Sequence, residues 1–207
     1  TKNRPLANKT MSLFEAILLL LLLLFFSLCK LISLNTITII IGIMSLILVV
    51  TYPFMKRITY WPQLFLGITF NWGVIMGWTS VSESLSPVIF LIYLSSIFWT
   101  LGYDTVYGYQ DIVDDKIIGI KSTAVLFEKN PKAAVYTFYI ISFLIMFMAM
   151  IWIGSGYKTF LVFLCAVMLG IVLLEKLNLR EVQSCASFFS ANKYIGFLVV
   201  LALASSI

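Results

Sequence analysis

Apolar residues run through this chain in seven long stretches separated by short polar breaks. An α-helix needs about 20 apolar residues to cross a bilayer. On that measure the stretches predict spans near residues 11–29, 34–52, 62–81, 87–105, 133–153, 157–174 and 191–207. The last is short, and its start can be drawn back to about Phe188. From Met11 to Leu28 only Ser12, Glu15 and Ser27 interrupt the run, which is too long for a signal-peptide core. No Pro/Ser-rich linker or long polar segment divides the stretches, so residues 1–207 read as one all-α membrane domain, a polytopic bundle of about seven transmembrane helices.

Composition supports this pattern and narrows the chemistry. The chain is 61% hydrophobic and 11% charged, against about 25% charged in soluble domains. It contains no histidine, which excludes His-built zinc sites, His acid/base pairs and Ser-His triads. Cys29, Cys165 and Cys185 are scattered without CxxC spacing and read as reduced packing residues. The net charge of +5 is not gathered into one basic tract, so nucleic acid is not an expected partner. Membrane topology accounts for the cations better. With Thr1 inside, 12 of the 14 basic residues, Lys193 among them, fall in inside loops; Lys30 and Lys158 are outside. The positive-inside rule then puts the segment around residues 104–123 on the cytoplasmic or matrix face.

That segment holds all four aspartates of the chain, Asp104, Asp111, Asp114 and Asp115, followed by Lys116, Gly119 and Lys121. Carboxylates beside a bilayer are costly to desolvate and need a cation or open water. On one continuous helix, Asp104 and Asp111 fall within about 20° of each other, and Asp115 adds about 40°. Gly108 would leave a gap in that stripe. Such oxygen donors suit a hard divalent cation bridging to phosphate. A solvated acidic loop has the same spacing. Lys116 and Lys121 suit phosphate oxygens or simply anchor the loop.

Two further segments are candidates. Thr51-Tyr52-Pro53-Phe54-Met55-Lys56-Arg57 ends a span on the same face, where two cations beside a Pro-fixed turn suit an anionic group or serve as a topology anchor. Asn71, with Gly67, Gly73 and Gly77 nearby, lies inside a span and can bond a neighbouring helix or a substrate. Tyr52, Tyr103 and Tyr107 lie near these charged segments and are suited to flank a carbocation, although interfacial tyrosines are common.

Taken together, Arg4-Pro5-Leu6, Tyr52 to Arg57, Val81-Ser82-Glu83-Ser84, Tyr103-Asp104-Thr105 and Asp111 to Thr123 resemble the UbiA-type intramembrane prenyltransferases, most closely those acting on 4-hydroxybenzoate. The resemblance covers essentially the whole chain. It implies a bundle, usually of nine helices, in the bacterial or mitochondrial inner membrane. It also implies Mg²⁺-dependent transfer of a polyprenyl group from polyprenyl pyrophosphate to the ring carbon ortho to the hydroxyl. By that resemblance Asp111, Asp115 and Asp114 hold the metal and Asp104 stands beside them as a catalytic acid. Arg4, Tyr52, Lys56, Arg57, Asn71, Tyr103, Tyr107, Lys116 and Lys121 would then contact substrate. The family's first aspartate motif normally precedes an Arg-Thr-x-x-Arg-Pro-Leu loop, inside which this chain begins. The expectation is therefore an N-terminally incomplete domain, inactive or nearly so by itself. Other readings are another quinone-precursor acceptor, a non-catalytic remnant, or a cation transporter.

Overall fold

A computed structural model describes residues 5–205 of the 207-residue chain. Their regular structure is entirely helical. Seven segments are long and apolar enough to cross a membrane: α1 (Leu13–Ile32), α2 (Thr36–Ile58), α3 (Pro62–Phe70) running into α4 (Trp72–Ser82), α5 (Pro87–Gly108), α8 (Pro131–Ile153), α9 (Tyr157–Lys176) and α10 (Val182–Ala204). Short α6 (Ile112–Ile118) and α7 (Thr123–Leu126) lie between α5 and α8.

The helix starts follow from local chemistry. Ser12 and Glu15 form a reciprocal capping box on α1, and the Asn35 side chain accepts the Thr38 backbone N–H on α2. Prolines open α3, α5 and α8, where a missing N–H costs nothing. The third predicted span is bent at Asn71. Its Nδ2 donates to Gly67 O, Ser96 O and the Thr100 hydroxyl, fastening the break to α5.

Two boundaries differ from expectation. α2 continues to Ile58 through Pro53, so Lys56 and Arg57 belong to its last helical turn rather than to a Pro-fixed turn. α10 begins at Val182, well before 191: Ser184, Ser187 and Ser190 lower the hydropathy there, while Cys185 and Phe188 bury one face. Lys193 consequently lies in the middle of α10 and not in a loop, with its Nζ 5.0 Å from the Tyr194 ring centroid.

α5 is the central helix, packed against α3, α4, α8 and α10. Polar pairs fix its neighbours. Ser95 and Ser142 each donate to the other's backbone carbonyl (2.8 and 2.9 Å), and Trp99 Nε1 donates to Asn192 Oδ1 (2.9 Å). Interhelical bonds of this kind average about 0.6 kcal/mol in membranes but fix register strongly. α1, by contrast, buries none of its residues. The ends of α2 and α5 and the start of α3 meet at one end of the bundle, beneath α6 and α7.

Candidate active site

At that end a cavity of about 290 Å³ opens. α2 supplies Tyr52, Pro53 and Lys56; α3 supplies Pro62 and Gln63; α5 supplies Asp104, Tyr107 and Gly108. Asp111, Asp115, Ile120, Lys121 and Ser122 close it from the connecting segment.

The three carboxylates reach this cavity by a route other than one helical stripe. α5 stops at Gly108, and the backbone tightens into i→i+3 bonds: Tyr109 N to Val106 O, Gln110 N to Tyr107 O and Asp111 N to Gly108 O. Asp111 then stands at the N-cap position of α6. The helix is therefore interrupted between Asp104 and Asp111, and the two acids line one cavity from either side of that break. Gly119 ends α6 at φ +77°, a left-handed cap that any other L-residue adopts only with strain. This turn lets Ile120 N reach Asp115 O at 2.8 Å and steers the following loop back over α2.

Lys121 fastens that loop. Its backbone N–H donates to Lys56 O (3.0 Å), its Nζ donates to Ile58 O (3.0 Å), and the ammonium lies 5.6 Å from the Tyr60 ring centroid. Asp115 is held above the usual carboxylate range. Burial is the main cause and Asp111 adds to it, while the Lys56 ammonium partly offsets them and Asp114 contributes a smaller upward push.

Not all the predicted residues gather here. Asn71 is a helix-joining amide and borders a different cavity. Tyr103 lies outside the lining and packs between Trp99 (5.3 Å) and Phe189 (5.5 Å). Lys116 turns away to pair with Glu128. Arg57 and Asp114 are exposed and outside the lining, and Arg4 falls outside the described residues. Gln63 and Ser122 also line the cavity, though neither stands out in the sequence; the only signal for Gln63 is an amide following the proline that opens α3.

The donor chemistry fits Mg²⁺ in a limited way. Among the described residues, no group of three metal-binding side chains converges on one point. Mg²⁺ commonly takes one or two carboxylates and fills its octahedron with water and phosphate oxygens. Asp111 and Asp115, mutually repelling and open to one polar cavity, match that partial shell.

A second, largely apolar cavity of about 450 Å³ lies deeper in the bundle, lined by Ser96 and Trp99 of α5 together with residues of α4, α8, α9 and α10. Ser96, Trp99, Tyr103 and Tyr107 recur at i, i+3 and i+4 spacing, so one face of α5 runs from this cavity to the acidic one.

Residues 1–201 match the UbiA prenyltransferase family. A rat protein named 4-hydroxybenzoate polyprenyltransferase, mitochondrial, is 38% identical, with 98% of this chain and 54% of that protein covered. The 4-hydroxybenzoate octaprenyltransferase of Psychromonas ingrahamii is 35% identical, over 98% of this chain and 71% of its own length. The chain thus spans about half the length of the mitochondrial relatives it matches. The solved apo structure of a UbiA homolog from Aeropyrum pernix K1 shares the fold, with a TM-score of 0.81 at 22% identity, covering 98% of this chain and 76% of that one. The helical bundle, the acidic cavity at its end and the family match agree: the chain belongs to the UbiA prenyltransferase family.

Proposed function

We propose that this chain carries the catalytic carboxylates of a polyprenyl transfer from a polyprenyl diphosphate to the aromatic ring of 4-hydroxybenzoate. The observation that carries the reading is the single cavity joining Asp104, Asp111 and Asp115 to Lys56, with an apolar cavity farther along the same face of α5. The names of the curated relatives support the choice of acceptor.

Asp111 and Asp115 would hold Mg²⁺, which supplies positive charge to a leaving diphosphate. Asp104 stands beside them on α5, and Lys56 offers a cation to diphosphate or aromatic carboxylate. Tyr52 and Tyr107 line the same cavity, where aromatic rings suit a developing allylic cation. The apolar cavity accommodates isoprenoid chain and keeps water from the reactive carbon. The site lies at the bundle end where α2 and α5 finish, on the cytoplasmic or matrix side by the distribution of cations.

The test is prenyl transfer in native membranes, with Asp111→Ala and Asp115→Ala introduced separately at the native locus. Each should reduce Mg²⁺-dependent transfer to 4-hydroxybenzoate at least about a hundredfold. Full activity in either removes the carboxylate assignment. Transfer to a different quinone precursor, with 4-hydroxybenzoate inert, keeps the site and replaces the acceptor.

A further inference from the structure

Gln63 is 7% exposed and lines the acidic cavity from the first turn of α3. Its amide orientation is fixed by its surroundings. The backbone N–H of Thr123, at the start of α7, donates to Gln63 Oε1 at 3.0 Å. A backbone N–H only donates, so the oxygen must face Thr123 and the NH₂ group must face the other way. Thr123 is itself held in place. Its hydroxyl meets that of Thr105 at 2.7 Å, and the Thr105 proton is committed to Leu101 O at 2.6 Å, so the Thr123 hydroxyl donates to Thr105. Both threonines are fully buried.

The NH₂ side of Gln63 approaches Gly108. A methyl added there would lie 3.5 Å from Gln63 Nε2 and 3.3 Å from the Ala124 methyl. Among the described residues no hydrogen bond from Nε2 to a protein acceptor is found, although Asp104, Asp111 and Asp115 line the same cavity. A pre-oriented donor without a protein acceptor, at the wall of a cavity built around acids, is suited to an incoming anionic oxygen.

We infer that Gln63 is a substrate-binding residue whose Nε2–H donates to an oxyanion held in the acidic cavity. The inference rests on the proposed function, and its ligand is either the diphosphate of the prenyl donor or the carboxylate of the aromatic acceptor. The amide's donor side cannot bind a metal, so it would complement the carboxylates by donating to the anion itself.

Gln63→Glu separates this role from a structural one. It keeps an oxygen for the Thr123 N–H and replaces the donor with a repelling carboxylate. The detergent-solubilised chain and its variant are titrated calorimetrically at about pH 8 with inorganic pyrophosphate plus Mg²⁺, and separately with 4-hydroxybenzoate. The expected result is an unchanged melting temperature and affinity about 10- to 100-fold weaker for one ligand, as for loss of a hydrogen bond to a charged group. Loss for pyrophosphate assigns the contact to the diphosphate; loss for 4-hydroxybenzoate assigns it to the carboxylate. Unchanged affinity for both overturns the inference and leaves the proposed function standing. No binding of either by the unsubstituted chain overturns both.

A second measurement covers a variant that fails to fold. With ¹⁵N-labelled glutamine, the chain has only Gln63, Gln110 and Gln183 side-chain amides to resolve. The Gln63 amide should move on saturation with the ligand, and a static Gln63 resonance during saturable binding overturns the contact.

Discussion

Asp115 is pulled in two directions, by burial and Asp111 toward the neutral acid and by Lys56 toward the carboxylate, and burial prevails. A carboxyl whose folded pKa is raised binds protons more readily folded than unfolded. Its contribution is therefore most favourable below the ordinary carboxylate value of about 4 and declines as pH rises through the shifted value. Without divalent cations, melting temperature should fall as pH rises through the range just above that value, and Asp115→Asn should flatten the fall. A flat profile in the unsubstituted chain would remove the electrostatic account. Asn192 gives a second prediction at this scale, since its Oδ1 accepts from both Trp99 and Tyr139. Asn192→Leu leaves two buried donors unpaired and should cost about 1–3 kcal/mol each in unfolding titrations. Asp104, Asp111, Asp115 and Lys56 were legible because acids and cations at the border of an apolar chain stand out, and Tyr52 came with the segment that ends in Lys56 and Arg57. Gln63 was not, because a neutral amide becomes informative only once Thr123, distant in sequence, fixes its orientation.

Among the elements, α6 depends most on a single backbone position. Gly119 adopts φ +77° and terminates the helix that carries Asp115. Gly119→Ala should destabilise this cap by about 1 kcal/mol and weaken Mg²⁺–pyrophosphate binding while leaving far-UV helicity unchanged. Equal affinity in the two proteins would mean that the cap does not position the acids. The sequence predicted the long helices well, because a membrane span needs only length and apolarity. It misjudged the α5–α6 junction, because the helical spacing of Asp104 and Asp111 does not reveal that the helix is interrupted after Gly108. It placed the start of α10 too late, because Ser184, Ser187 and Ser190 lower the hydropathy of its first turns while Cys185 and Phe188 supply the buried face.

Across the molecule, packing is concentrated on α5 and almost absent from α1. Leu101 of α5 is 1% exposed, whereas Leu20 of α1 is 55% exposed. Leu101→Ala should lower stability by about 2–5 kcal/mol, and Leu20→Ala should change it little, both read from unfolding titrations in the same detergent. Comparable losses would mean that α1 is packed in solution. The cavity is lined from a membrane-spanning helix at Asp104 and from a segment outside the spans at Asp111 and Asp115. On the proposed activity its two reactants arrive from different phases, the isoprenoid diffusing in two dimensions and the small aromatic acid in three. Turnover would then follow the isoprenoid's mole fraction in the bilayer, so inert phospholipid should slow the reaction even at constant molarity of every component in the tube.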